Sequence, residues 1–373
     1  MHCDYFDAGR CRSCTLMGTP YGAQLADKQR RVAGVLAPHG EHLEWLDPIT
    51  SPESHFRTKA KLVVGGRPGR PTLGILDERG RGVDLRRCGL YEPGLAATFD
   101  PIHRFVSELG ITPYDVPRRA GELKHVIVTH SPDGEHLVRF VTRSADGLAL
   151  VRDALPRLRA LLPSARVVTV NLLPEHKAVL EGDTEVVLTD DALLPMRLGP
   201  VTLQLGPRAF FQTNTTVARG LYAQARAWAD ELQPATVWDL YCGVGGFALH
   251  LAAADRRVVG VESSEEAVEA ARAAAAEVPL EVTFHAGDAT AGPPPGPAPD
   301  LVVVNPPRRG LGPALADWLE HSPAEHVVYS SCNVDSLARD LAAMPSLRPV
   351  RGRVADMFPQ THHVETLLLL HRT

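Results

Sequence analysis

From about residue 206 the chain keeps one rhythm, apolar β-like runs alternating with helical periods, and that rhythm constrains the architecture more than any other feature. Residues 217–232 read as an Ala-rich helix, 236–241 as a strand, 247–254 as a helix and 257–262 as a second strand. A helix over 265–277 follows, with strands over 281–284, 300–305, 325–331 and 365–370. Strands separated by helices pair in parallel, so the expected fold is α/β: a C-terminal Rossmann-like, doubly wound sheet that binds ligands at the carboxyl ends of its strands. The Pro-, Gly- and Ala-rich stretch 290–299 reads as a surface loop.

The first half has a different texture. Short β-like runs at 61–64, 126–129, 137–141, 167–171 and 185–188, with one helix over 145–162, indicate an α+β domain. Residues 1–90 are loop-rich apart from a helix over 21–36 and carry four of the six cysteines. The expected organisation is a cysteine-bearing region (1–90) interwoven with a central α+β domain (40–205), then a catalytic domain (206–373). A chain of 373 residues is long enough for two or three such cores.

Composition excludes several classes. With 44% hydrophobic and 22% charged residues the chain is neither disordered nor a membrane protein, and no run approaches the roughly 18 apolar residues that span a bilayer. The first residues, Met1-His2-Cys3-Asp4-Tyr5-Phe6-Asp7, lack the basic and apolar segments of a signal peptide, so a cytoplasmic location is expected. Thirty-nine Lys and Arg against 44 Asp and Glu give a net charge of −5, so a polyanionic partner must meet a local basic patch.

The strand over 236–241 runs into Cys242-Gly243-Val244-Gly245-Gly246 and straight on into a helix. Glycines there let the backbone turn sharply and approach a ligand. Glu262, ending the next strand, is placed to accept hydrogen bonds from both hydroxyls of a ribose, and Asp288 ends the strand after that, where an adenine amino group is read. A dinucleotide site or a purely structural turn are the alternatives. The spacing is not Gly-x-Gly-x-x-Gly, and with Asp288 it tilts the reading toward S-adenosylmethionine. Cys242 reads as a small residue packed beneath the turn.

Strand 300–305 ends in Asn305-Pro306-Pro307-Arg308-Arg309-Gly310, and paired prolines force the chain out of the sheet at its edge. Amino-directed methyltransferases hold an exocyclic amine with Asn-Pro-Pro, but an aromatic residue usually follows there, whereas Arg308 follows here. The next strand delivers Ser330-Ser331-Cys332-Asn333 to the same edge. A thiol beside a methyl donor suits a pyrimidine: C5 is a weak nucleophile until a thiolate adds to C6 and makes C5 enolate-like. A base must then remove the C5 proton. Glu365, where the chain enters an apolar strand that would raise its pKa, is the first choice and His363 the second.

Asn305-Pro-Pro-Arg-Arg-Gly310, Tyr329-Ser-Ser-Cys-Asn333 and Asp356-Met-Phe-Pro-Gln-Thr-His-His-Val-Glu365, in that order, resemble the paired signatures of the RNA uracil-C5 methyltransferases, the TrmA/RlmC/RlmD group, and Phe210-Phe211-Gln212-Thr213-Asn214 adds a further family motif. The resemblance implies an S-adenosylmethionine-dependent enzyme with Cys332 as nucleophile and Glu365 as base. Gln212, Tyr241, Glu262 and Asn305 would contact the cofactor, beside Gly243 and Asp288 of the turn reading. Many relatives carry Asp where Asn305 stands, which removes a formal charge next to the cofactor, and Ser336 replaces a usual Thr.

Cys3, Cys11, Cys14 and Cys88 could form a four-thiolate site, and spacing alone leaves zinc and an iron–sulfur cluster open. The opening fourteen residues resemble the RlmC branch of the group, which implies a structural [4Fe-4S] cluster on these four cysteines and 23S rRNA as substrate, at the uridine numbered 747 by that branch's nomenclature. Between 54 and 76 there are five basic residues (Arg57, Lys59, Lys61, Arg67 and Arg70) and no acid. Arg118, Arg119 and Lys124 form a second cluster, and Arg308 borders the active site. In an RNA enzyme, Arg57, Lys59, Lys61, Arg118, Arg119, Lys124 and Arg308 become expected phosphate contacts, while a loop or unpaired uridine is flipped into the pocket. No protein partner is implied. Two competing readings remain: an amino-group nucleic-acid methyltransferase, which leaves Cys332 and Glu365 without work, and a catalytically inactive iron–sulfur RNA-binding protein.

Overall fold

The computed structural model describes residues 1–40, 43–177, 179–291 and 296–373. The chain forms two compact units, one from Met1–Cys14 with Ser54–Met196 and the other from Thr15–Glu53 with Arg197–Thr373. The expected loop over 290–299 falls partly outside the described residues.

The first unit is built on a seven-stranded sheet in the order Gly82–Asp84, Arg70–Leu76, Lys59–Arg67, Leu123–His130, His136–Thr142, Ala165–Leu172, Thr184–Val187. Every neighbouring pair is antiparallel except His136–Thr142 with Ala165–Leu172. A parallel pair needs a crossover, and helices Ala145–Asp153 and Leu155–Leu161 supply it. The single helix expected over 145–162 is thus two, because Pro156 has no N–H to continue the first and is suited to begin the second. Helix Phe99–Leu109 buries Phe99, Ile102, Phe105 and Val106, which share a core with Leu62, Val126, Phe140 and Val168 from the strands.

The second unit contains an eight-stranded sheet in the order Glu44–Ile49, Leu347–Ala355, Glu365–Arg372, His326–Ser331, Leu301–Val304, Thr236–Leu240, Arg257–Glu262, Val282–Ala286. Only Glu365–Arg372 runs antiparallel to its neighbours. That reversal positions the chemistry: the first residue of a reversed strand lies at the edge where the parallel strands end. Ser331 pairs with Thr366, so Glu365 stands beside the loop that carries Cys332.

The expected domain boundaries differ from the structure in two respects, since 15–53 and 197–205 both belong with the second unit. Helix Tyr21–Leu36 buries Val32 and Leu36 in the core that holds Trp238, Val302, Tyr329 and Leu337, and Glu44–Ile49 extends the sheet by pairing with Leu347–Ala355. Burial of that apolar stripe fixes the helix to the unit. Among the described residues no helix is long and apolar enough to cross a membrane.

Candidate active site

The turn after Thr236–Leu240 departs from ordinary backbone at three points. Tyr241, Gly243 and Gly245 all have positive φ, at 69°, 54° and 83°. Asp239, fully buried, anchors the turn by accepting a 2.8 Å hydrogen bond from Ala248 N, and burial pushes its carboxyl up to about 7. A side chain on Gly245 would strike the Phe284 ring, whereas a Cβ on Gly243 would meet nothing within 4 Å. The Gly243 backbone therefore faces open space, the condition for close approach by a ligand. Glu262 accepts hydrogen bonds from Gly243 N (3.2 Å), Ser263 Oγ (3.0 Å) and Ser264 N (2.9 Å), which fix its carboxylate at the strand end.

On the other side of the sheet's carboxyl edge, two turns are tied together. Asp340 accepts from Leu311 N at 2.9 Å and from the Tyr329 hydroxyl at 2.6 Å, while Asn333 Nδ2 donates to Arg308 O at 2.9 Å. These bonds link the Asn-Pro-Pro-Arg turn to the strand and loop that present Cys332. Gly310, with φ of 89°, leaves room for Asp340, which a Cβ would overlap.

All these elements surround one cavity of about 550 Å³, lined by Gln212, Tyr241, Gly243, Glu262, Asn305, Arg308, Cys332 and Glu365. Asp288 does not line it; its carboxylate turns to Thr290, accepting from the backbone N and from Oγ1 at 2.8 Å each. Tyr222, Phe247, Ser263 and Phe358 also line the cavity; the first three carry no signal readable from sequence, whereas Phe358 lies inside the motif that ends in Glu365. Phe210, 75% exposed, stands at the cavity although an aromatic ring ordinarily seeks cover.

Glu365 is 2% exposed, and burial pushes its carboxyl up to about 7 despite the hydrogen bond that Ser330 Oγ donates to Oε1 at 2.6 Å. Cys332 is half-buried; burial first, then the Glu365 charge, raise its thiol, and Arg308 opposes both by charge and hydrogen bond. A carboxyl poised near neutrality and a thiol attended by a guanidinium thus share one cavity, the pair of groups that base-assisted nucleophilic chemistry requires.

The loop leading into Glu365 is braced from a distant stretch of chain. Lys28 Nζ donates to Asp356 Oδ1 at 2.6 Å and to Phe358 O at 3.1 Å, both partners of the ion pair being almost fully buried. Gln24 and Gln360 hold each other reciprocally at 3.0 Å. Asn214, of the Phe-Phe-Gln-Thr-Asn motif, caps helix Thr215–Leu232 and donates to Ser51 Oγ at 2.8 Å.

Two family profiles match the chain: one described as Methyltransferase domain over residues 237–309, and one described as tRNA (Uracil-5-)-methyltransferase over 298–373. A protein named 23S rRNA (uracil(747)-C(5))-methyltransferase RlmC from Pectobacterium atrosepticum is 44% identical over 375 residues, covering 100% of each chain. Its namesake from Yersinia pseudotuberculosis is 44% identical with 99% of each covered, and that from Salmonella typhi 45% identical with 100% of each covered. The chain belongs to the RNA uracil-C5 methyltransferase family. The crystal structure of a Pyrococcus abyssi tRNA (uracil-54, C5)-methyltransferase in complex with S-adenosyl-L-homocysteine shares its fold, with a TM-score of 0.79 and 24% identity over 96% of this chain and 85% of that one.

As a uracil-C5 methyltransferase the protein depends on S-adenosylmethionine, and the open space over Gly243 beside the fixed Glu262 carboxylate fits a nucleoside. The four N-terminal thiols lie in the first unit, and Cys14 and Cys88 respond to the others. Burial, then Cys88, Cys11 and Cys3, push Cys14 up to about 11, and Cys88 is raised by burial and by Cys3 and Cys11. The donors are four sulfurs, a set suited to a thiolate-bound iron–sulfur cluster or zinc. Among the described residues no group of three or more His, Cys, Asp or Glu side chains is already arranged to hold a metal ion.

The expected RNA contacts divide. Lys61, Arg118, Arg119 and Arg308 are exposed. Lys124 is not available: it is buried, donates to Glu175 O at 2.6 Å and lies 4.6 Å over the Tyr114 ring. It sits on an inner strand, and its charge is satisfied inside the unit. Arg57 is half-buried and faces the cysteines, lowering Cys14 and Cys88, and burial brings half-buried Lys59 down to about 8.

Proposed function

We propose that the protein methylates C5 of a uridine in 23S rRNA, the position numbered 747 in the names of its relatives, through a covalent adduct between Cys332 and C6. The single observation that carries this reading is the shared cavity of Cys332 and Glu365, with Arg308 on the thiol and Ser330 on the carboxylate.

S-adenosylmethionine, held along Gln212, Tyr241, Gly243, Glu262 and Asn305, supplies the methyl group as a sulfonium. Cys332, as thiolate, adds to C6, and the C5=C6 electrons move toward the C4 carbonyl to give an enolate. C5 then takes the methyl group, and S-adenosylhomocysteine is the by-product. Glu365 removes the C5 proton; those electrons reform C5=C6 and expel the Cys332 thiolate. Glu365 passes the proton to solvent, so one proton is released for each methyl group transferred. A carboxyl with a pKa of about 7 is about half ionised at neutral pH, as this base requires. Tyr329 and Asp340 position the two turns and do not touch the reacting atoms.

Cys3, Cys11, Cys14 and Cys88 would hold a [4Fe-4S] cluster whose work is structural, since methyl transfer needs no electron. Lys61, Arg118, Arg119 and Arg308 would contact phosphates of a loop uridine's neighbourhood, and the substrate implies a cytoplasmic enzyme. The test is incubation of anaerobically purified protein with S-adenosylmethionine and unmodified 23S rRNA, with nuclease digestion and mass spectrometry locating new 5-methyluridine. One modified uridine in a 23S loop is expected. Modification of transfer RNA alone would overturn the substrate assignment, and stoichiometric zinc in colourless protein would overturn the cluster. Glu365→Gln should leave the methylated RNA bound to Cys332, visible as a shifted band in a denaturing gel.

A further inference from the structure

Cys332 borders a second cavity besides the one just described. This smaller space, about 200 Å³, is lined by Arg31, Arg308, Cys332, Asn333, His362 and His363. Two guanidiniums and two imidazoles thus converge next to the thiol. Of the acids nearby, Glu365 is held by Ser330 and Asp356 is buried against Lys28, while Asp335 pairs with Arg31 at 3.4 Å with both side chains more than half exposed, a solvent-screened pair that an anion can compete for. After burial, the influences that depress His363 are all positive charges, namely Arg308, Lys28, His362 and Arg31. Basic groups that crowd one another around a space of this size suit an anion, and a phosphodiester with a few waters, at roughly 30 Å³ per water, fits it.

The chemistry of the nucleotide says which phosphate. In the anti conformation usual for pyrimidines, C6 is the ring atom turned toward the nucleotide's own 5′ side. A thiol bonded to C6 therefore sits near the 5′-phosphate, while C5 and its incoming methyl group point away. Cys332 lines both cavities, the larger toward the methyl donor and the smaller toward these cations. We infer that Arg31, Arg308, His362 and His363 form the binding site for the 5′-phosphate of the target uridine, so that one cavity takes the donor and base while the other fixes the backbone that delivers C6 to Cys332. The inference rests on the reading of Cys332 as the nucleophile. It gives Arg31 and His362 positioning roles in substrate binding, and it recasts His363 as a phosphate ligand, not a second base.

A thermodynamic cycle tests it. An RNA hairpin carrying the target uridine is compared with the same hairpin bearing an uncharged methylphosphonate at that uridine's 5′ linkage. Both are bound to wild type and to the Arg31→Ala/His362→Ala variant in the presence of S-adenosylhomocysteine, with affinity read by fluorescence anisotropy. Wild type should lose about tenfold in affinity for the methylphosphonate, and the variant about tenfold for natural RNA but under about twofold more for the methylphosphonate. Against log salt, the variant's binding slope should flatten by about 0.7 for each phosphate it no longer neutralises. Methylation at saturating RNA should keep kcat within about threefold while KM rises, and Arg31→Lys should restore part of the affinity. Full additivity of the two losses, or a coupled loss at the 3′ linkage instead, would overturn the assignment. If wild type binds the hairpin yet methylates no RNA, the proposed function falls, and the binding cycle still decides the phosphate site.

Discussion

The thiol at the edge of the catalytic sheet and the four thiols of the first unit are the same chemical group among opposite neighbours. Cys332 faces a cavity, with a guanidinium pulling its pKa down against burial and a buried acid. Cys14 and Cys88 are raised first by burial and then by neighbouring sulfurs, Cys88, Cys11 and Cys3 acting on Cys14, and Cys3 and Cys11 on Cys88. Isolated thiolates that repel one another gain from a shared cation, whereas a thiolate beside Arg308 is free to attack carbon. Cys242 is a third case: buried under the Gly243 turn and packed close to Gly260, its thiol lies well above the ordinary value, with burial the main cause. Environment, and not residue type, separates the cysteines, and the proposed roles of nucleophile, ligand and packing follow that separation.

Four measurements would break or sharpen that contrast. The largest effect belongs to Cys332→Ala, which should reduce methyl transfer to background, a loss on the order of 10⁴-fold or more, with the affinity for S-adenosylmethionine by calorimetry unchanged. Activity surviving in that variant would end the covalent route. Next comes Cys14→Ser: iron content and visible absorbance should fall, and the first unit should lose about 3 kcal/mol, the scale of a cross-link that closes a long loop, seen as an early unfolding transition. A single unshifted transition would say that the thiols bind nothing structural. Cys242→Ser should cost about 1–2 kcal/mol by burying a hydroxyl, with kcat and its pH profile unmoved. The smallest change is expected from Ser330→Ala. In the proposed mechanism deprotonated Glu365 is the active form, so the rate is expected to climb as pH rises through about 7. The Ser330 hydrogen bond favours the carboxylate and lowers that value, so its removal should move the acid limb of the kcat profile upward by about half to one pH unit.

The catalytic sheet was legible where its strands were short, apolar and ended by punctuation. Leu301–Val304 before Asn305-Pro-Pro and His326–Ser331 before Cys332 lie where the sequence indicates, and so does the edge they share. Glu44–Ile49 was not legible, because Glu-Trp-Leu-Asp-Pro-Ile shows no alternation and an edge strand needs none; Pro48 near its end suits an edge, where one N–H has no partner to lose. The brace from Lys28 to Asp356 joins positions 328 residues apart, and no local pattern announces such a pair. Lys124 misled for the opposite reason: lysine is nearly always exposed, and only the fold reveals an inner strand position with a carbonyl and an aromatic face to receive it. Ser330 sits inside a recognisable motif, but its bond to Glu365 follows from the reversed direction of the last strand, which alternating runs do not specify.

Among the described residues the edge strand Glu44–Ile49 pairs only with Leu347–Ala355, and this bears on the order of events during synthesis. The ribosome must add roughly 300 residues between the two, about 15–60 s at 5–20 residues per second. The sheet also cannot close around Glu365–Arg372, the strand between Leu347–Ala355 and His326–Ser331, until that last strand emerges. The seven-stranded sheet of the first unit is complete by Val187, so its strands and all four of its cysteines are available while Cys332 and Glu365 are still unmade. The nascent enzyme therefore has its four-cysteine unit before it has the cavity that Cys332 and Glu365 line.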